Sequence, residues 1–181
     1  MNILPEKFFL TRGIGVHKDE LHSFELALRD AGIAQANIVQ VSSILPPHCT
    51  QVSREEGASL LIPGTITFVV MSRLSSDEPR RQLSASIGCA KPVSGDRFGY
   101  LSEFHGFGLD EEEAGDRAED LAAAMLASTL GLEFDVDQAW DEKKEIWHLS
   151  DRDVTSFNIA VAHAVPKGNW CTVVAAAVLI L

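Results

Sequence analysis

Two adjacent serines, Ser42 and Ser43, close the apolar run Ile38-Val39-Gln40-Val41, and Pro46-Pro47 follows almost at once. A serine hydroxyl can attack the carbonyl of the residue before it when the backbone is held strained. The resulting ester breaks by β-elimination to a dehydroalanine. Hydrolysis then leaves a pyruvoyl ketone and releases ammonia. Such a reaction needs a donor for the developing oxyanion and a pinned backbone. Asn37, six residues before Ser43, is a candidate donor, and the proline pair restricts the chain behind it. By residue type alone, the polar end of a strand is the favoured reading of Ser42-Ser43.

Other candidate chemistry is weaker. Gly13-Ile14-Gly15 and Gly106-Phe107-Gly108 each give a G-x-G, but neither continues into a dinucleotide or phosphate-loop motif. Tight turns at strand ends are the expectation for both. His17 and His22 lie five apart, the wrong spacing for two ligands on one helical face, and are expected as surface histidines. Glu111-Glu112-Glu113 suits the solvated first turn of a helix better than a metal cluster. No G-x-S-x-G elbow is present. Cys49, Cys89 and Cys171 are odd in number and lack C-x-x-C spacing, which argues against a disulfide framework or structural zinc. No metal is expected.

These groups must be positioned by elements whose signals are local. Phe8 to Gly15 reads as a strand. Asp19 to Asp30 reads as a helix, with Leu21, Phe24, Leu28 and Ala31 at helical spacing and Gly32 as its stop. Asn37 to Ser43 is expected as a strand, then Ile66 to Ser72, Leu83 to Ala90, Phe98 to Gly106, Phe157 to Val165 and Trp170 to Leu181. Arg73 to Arg81, with Pro79, is expected as a connection. Asp110 to Gly131 is the clearest helix, acidic at its start and closed by glycine. The strands come in runs rather than alternating with helices, which favours an α+β layered arrangement. Val173 to Leu181 is apolar on both alternating faces, as a central covered strand is.

Composition bounds the function. The chain of 181 residues is 46% hydrophobic and carries a net charge of −11, enough apolar material for one core and too little charge for disorder. Such acidity disfavours nucleic acid and anionic membranes and favours cations. The longest apolar run is far short of a bilayer span. No signal-peptide pattern opens the chain, so a reducing cytoplasmic location is expected.

The sequence resembles the pyruvoyl-dependent arginine decarboxylases. The resemblance runs through Phe24-Glu25-Leu26-Ala27-Leu28 and Asp30-Ala31-Gly32-Ile33. It is strongest from Asn37 through Val41-Ser42-Ser43-Ile44-Leu45-Pro46-Pro47. It continues in Ser84-Ala85-Ser86-Ile87, in Glu103-Phe104-His105-Gly106 and in Ala175-Ala176-Ala177. These segments stand in family order over nearly the whole chain.

That resemblance implies a single domain over residues 1–181, folded as a four-layer αββα sandwich. Self-cleavage between Ser42 and Ser43 gives a β chain (1–42) and an α chain (43–181), with Ser43 as the covalently bound pyruvoyl cofactor. It implies that Asn37 assists processing and that Glu103 donates the proton after carbon dioxide leaves. Glu25 takes the place of an acidic residue facing the substrate guanidinium. Relatives usually carry Asp there, and Glu is one methylene longer. The implied reaction is arginine to agmatine, in trimers or pairs of trimers with active sites between subunits. The ketone condenses with the substrate amine and accepts the electrons released by decarboxylation, so no pyridoxal phosphate is expected. Glu103 needs an apolar setting to stay protonated, and Tyr100 and Phe104 are candidates for it. Alternatives are another substrate, such as aspartate or ornithine, or an uncleaved binding protein on the same scaffold.

Overall fold

The computed structural model describes residues 3–131 and 154–181. The acidic stretch Glu133 to Asp153 therefore lies outside the described residues. Nine strands and three helices are formed among those described. In order they are β1 (Lys7–His17), α1 (Glu20–Asp30), β2 (Asn37–Gln40), β3 (Ile44–Leu45), β4 (Thr50–Gln51) and α2 (Arg54–Ser59), then β5 (Ile66–Ser76), β6 (Gln82–Pro92), β7 (Gly99–Phe107), α3 (Glu111–Leu130), β8 (Val154–Ala164) and β9 (Trp170–Ile180).

The strands form two sheets. One has five strands in the order β2-β5-β9-β1-β4, and the other four in the order β3-β7-β6-β8. Strand β9 sits at the centre of the first, antiparallel to β1 and β5. Its alternation explains why both faces are apolar. Val173, Ala175, Ala177 and Leu179 enter the core between the sheets, facing Leu83, Ala85, Ile87 and Leu101. Val174, Ala176 and Val178 enter a second cluster with Ala27, Ala31 and Ile33 around α1. A third cluster joins Ala90 to Ala122, Ala123 and Leu126 of α3. The layers thus run helix, sheet, sheet, helix: a mixed α+β arrangement compatible with the sandwich the resemblance implies.

Both helix contacts depend on missing side chains. Gly13 and Gly15 are not a turn, as expected from the G-x-G; they lie within β1, because a Cβ on either would strike the α1 backbone at Ala27 O or Ser23 O. Gly88 on β6 plays the same part under Ala118 of α3. Ser102 and Ser86 hold α3 down by donating to Ala118 O and Ala114 O. The ends are capped as the sequence suggests. Asp19 accepts from His22 N at 3.1 Å, Asp110 and Glu113 form a capping box, and Gly131 closes α3 at φ 73°. A cap of this kind contributes about 1 kcal/mol.

Several expectations are corrected. Strand β5 runs on through Ser76 because β9 continues beside it as far as Cys171, so Arg73 is strand, not loop. Leu21 faces solvent and is 74% exposed, whereas Ser23 and Ala27 form the buried face of α1. Neither α2 nor β4 carried a legible signal; β4 has only two residues, paired with the start of β1. Above all, Asn37 to Ser43 is not one strand. Regular pairing stops at Gln40, and the chain then leaves the first sheet for the second.

Candidate active site

Ser42 and Ser43 occupy that crossing between sheets. On one side, Val41 N–H donates to Val69 O at 2.9 Å, the last bond to the first sheet. On the other, Leu101 N–H donates to Ser43 O at 2.8 Å, the first bond to the second sheet. Between them, Ile44 N–H donates to Ser42 O at 2.9 Å and closes a tight turn centred on Ser43. Ser43 is not among the residues of positive φ, so this is the unstrained, inverse form of the three-residue turn. The Ser42–Ser43 peptide is thus pinned at both ends, and its carbonyl already accepts a backbone N–H. A pyruvoyl group made at Ser43 fits this donor set: a hydroxyl, a fixed peptide and a donor on the carbonyl to be attacked.

Glu103 belongs to the same neighbourhood. The β3–β7 pairing sets Ile44 opposite Tyr100 and Leu45 opposite Gly99. The Leu101–Ser43 bond continues it, and Glu103 lies two residues, about 7 Å, further along β7. Glu103 shares the face of Leu101, which enters the core between the sheets, but Glu103 itself is an exposed residue whose carboxyl is only partly desolvated. Burial pushes its carboxyl above the usual carboxylate range, and nearby His105 pulls it back in part. Tyr100 and Phe104 do not supply the apolar cover. Alternation puts them on the opposite face, with Tyr100 OH 2.8 Å from Thr129 Oγ1 and Phe104 beneath Arg117.

Asn37 and Glu25 are elsewhere. Asn37 begins β2, and its amide donates to Gly64 O at 2.7 Å. From Asn37 to Val41 the chain is extended, separating them by about 13 Å, and the Asn37 amide is engaged at Gly64 rather than at Ser43. Asn37 instead lines a cleft of about 540 Å³ with Phe24, Leu28, Gln40, Met71 and Arg73. Arg73 and Gln40 carried no signal in the sequence, since nothing local brings β5 beside β2. The Arg73 guanidinium stacks 3.8 Å over Phe24 and pairs with Glu20 at 3.6 Å.

Glu25 lies on α1 between Phe24 and Leu28. One of its oxygens accepts from Arg29 Nε at 2.5 Å. The other is buried without a hydrogen-bond donor among the described residues and has His22 Nε2 at 4.0 Å. His22 also stacks on His17 with ring centroids 3.9 Å apart, so these expected surface histidines form a pair. Among the described residues no cluster of three metal-ligating side chains occurs, and no helix is long and apolar enough to cross a membrane.

The predicted residues therefore fall into two groups. Ser42, Ser43 and Glu103 lie at the junction of the two sheets, while Asn37 and Glu25 flank the outer side of the first. Comparison with known proteins defines the class to which this arrangement belongs. A family model described as pyruvoyl-dependent arginine decarboxylase matches residues 7–181. The chain belongs to that family. It is 52% identical over 180 residues to a probable pyruvoyl-dependent arginine decarboxylase of Chlorobium phaeovibrioides, covering 99% of both chains. It is 50% identical to the pyruvoyl-dependent arginine decarboxylase of Nitrosopumilus maritimus over the whole of both. Pyruvoyl-dependent arginine decarboxylase 2 of Methanosarcina acetivorans is 52% identical over 98% of each.

Proposed function

We propose that this chain cleaves itself between Ser42 and Ser43 and then decarboxylates L-arginine to agmatine and carbon dioxide. The observation that carries the reading is the Ser42–Ser43 peptide, strung between two sheets with its carbonyl bonded to Ile44 N–H. Ser43 Oγ attacks the Ser42 carbonyl carbon, and the peptide bond gives way to an ester. Negative charge gathers on Ser42 O, where the Ile44 N–H is in place to receive it. Elimination frees the Ser42 carboxylate as a new C-terminus, and hydrolysis of the dehydroalanine releases ammonia and leaves the ketone on residue 43. The products are one domain in two polypeptides, residues 1–42 and 43–181.

The pyruvoyl group supplies the electron sink for loss of the carboxylate. Glu103 holds a proton for the α-carbon, and its partial burial keeps the acid form to higher pH than an exposed Glu would. Glu25 anchors the guanidinium: Arg29 holds one of its oxygens and the other is shielded within the chain, so substrate must displace Arg29. An anionic side chain such as that of aspartate meets repulsion there, which disfavours it as substrate. Ornithine is shorter and lacks the planar fork.

Glu25 and Asn37 are separated from Ser43 and Glu103 by the first sheet. A site assembled from one protomer's Ser43 and Glu103 and its neighbour's α1 and β2 brings them together, which supports a homo-oligomer of trimer or hexamer type. Mass spectrometry of the purified protein tests the central step. It is expected to give two fragments, the larger beginning with a pyruvoyl group. An intact chain with unmodified Ser43 would leave the non-catalytic alternative standing. Carbon dioxide release across arginine, ornithine and aspartate then tests the substrate.

A further inference from the structure

A second cavity, of about 320 Å³, opens where the β6–β7 hairpin meets the segment after Pro46. It contains none of the residues assigned above. Its lining holds Lys91, Arg97 and His48 together, in a chain whose net charge is −11. Apolar walls come from Leu45, Pro46 and Val93.

The placement of Lys91 is unusual. The residues before it on β6 alternate into the core between the sheets: Leu83, Ala85, Ile87 and Cys89. Lys91 is next in that row. Its ammonium comes within 6.0 Å of the Phe8 ring and acts electrostatically on the Cys49 and Cys89 thiols. A charge at the mouth of a core is normally matched by a counter-ion. Among the described residues, neither Lys91 nor Arg97 makes an ion pair. His48 has only Asp96, at 3.9 Å on the exposed rim.

The backbone here is built rather than slack. His48 adopts φ 60°, one of two non-glycine residues with positive φ among those described. It is held there by its N–H, which donates to Gly95 O at 3.0 Å. That bond ties the Pro46–Thr50 segment to the hairpin and brings His48 into the same lining as Lys91 and Arg97. A left-handed His costs about 1–2 kcal/mol, so it persists only where its surroundings require it.

We propose that this cavity is a binding site for the phosphate group of a small anionic ligand. An ammonium, a planar guanidinium fork and an imidazole offer donors from three directions, which suits a multiply charged, three-oxygen group better than a single carboxylate. The volume is that of a small metabolite rather than a macromolecular surface. The proposal does not rest on the decarboxylase reading, because Lys91, Arg97 and His48 have no part in it, although the cavity wall shares Leu45 and Pro46 with the segment after Ser43.

The test uses the purified full chain, with inorganic phosphate, pyrophosphate and acetate as probes at matched ionic strength. Calorimetry is expected to show saturable binding of phosphate and pyrophosphate, one per chain, and none of acetate. Arg97 is exposed and makes no ion pair among the described residues, so R97Q leaves the fold intact, as circular dichroism checks. Losing one charge-assisted bond weakens binding about tenfold or more. K91M is expected to do the same. Absence of saturable binding at millimolar phosphate overturns the proposal. So does an affinity unchanged in R97Q, or equal binding of acetate.

Discussion

Leu101 N–H donates to Ser43 O at 2.8 Å, and this bond fixes the serine at the edge of the second sheet while Val41 is still bonded to the first. The peptide in between has no freedom to relax away from its own hydroxyl. Entropy lost in advance makes an intramolecular attack efficient. Removing the hydroxyl must therefore stop processing without disturbing the pinning. S43A is expected to remain a single chain of unchanged fold on a denaturing gel, with no decarboxylase activity. Fragmentation of S43A at the same bond would reject Ser43 as the nucleophile.

Glu103 separates the two stages. E103Q is expected to process normally and to lose about 100- to 10,000-fold in kcat, the usual worth of a general acid. Its carboxyl is raised by burial, so the proton-donating form is present at low pH and is lost as pH rises through that raised value. Activity should fall on this alkaline limb, and the limb should be absent from residual E103Q activity. Stability follows the same sign. Above its raised pKa the ionised carboxylate disfavours the folded state, and E103Q removes that dependence. Rate profiles and denaturation across pH measure both.

The Arg29–Glu25 contact at 2.5 Å makes Arg29, in the proposed site, a competitor of the substrate guanidinium for the Glu25 carboxylate. E25Q is expected to raise KM for arginine about 10- to 100-fold, the worth of one charge-assisted hydrogen bond. R29A acts in the opposite direction. The pair is surface-exposed, so the gain is modest, a KM lower by about two- to fivefold. A rise in KM for R29A would show that Arg29 orients the carboxylate instead of competing for it.

Three thiols are available as reporters of the core. Burial pushes Cys49 to about 11, Cys89 to about 12 and Cys171 to about 11, so each is a neutral thiol at neutral pH. A thiol reagent at pH 8 is expected to label none of them in native protein and all of them after denaturation. Prompt labelling of the native chain would contradict the burial described for the core between the sheets.

Gly88 has no room for a Cβ, because α3 crosses it at Ala118 O. G88A is expected to lower stability by about 1–3 kcal/mol as the helix is pushed off its sheet. Chemical denaturation reads this directly. G64A tests the contrast: its φ of 84° is strained for alanine, but nothing lies within 4 Å of the added atom, so the loss there is conformational alone.

Much of this protein is determined by sequence alone. The period of two in β9, the capping residues Asp19, Asp110 and Gly131, and the helical spacing of α3 are local properties, set by backbone geometry within a few residues. The serine pair with Asn37 and Pro46-Pro47 is visible in the sequence as a family resemblance, whereas its residue types alone favour the end of a strand. What the sequence could not determine depends on residues far apart in the chain. Ser42-Ser43 reads as a strand end until β7 is seen to take hold of Ser43 through Leu101. Tyr100 and Phe104 look like cover for Glu103 until strand alternation turns them to the far face. Arg73 has no local signal at all, since its neighbours are brought to it only by sheet pairing, and Arg97 joins His48 in one cavity lining only because a loop hydrogen bond ties His48 to Gly95. Tertiary structure decides these points because burial and charge contacts depend on which surfaces meet, and that is settled by packing two sheets face to face.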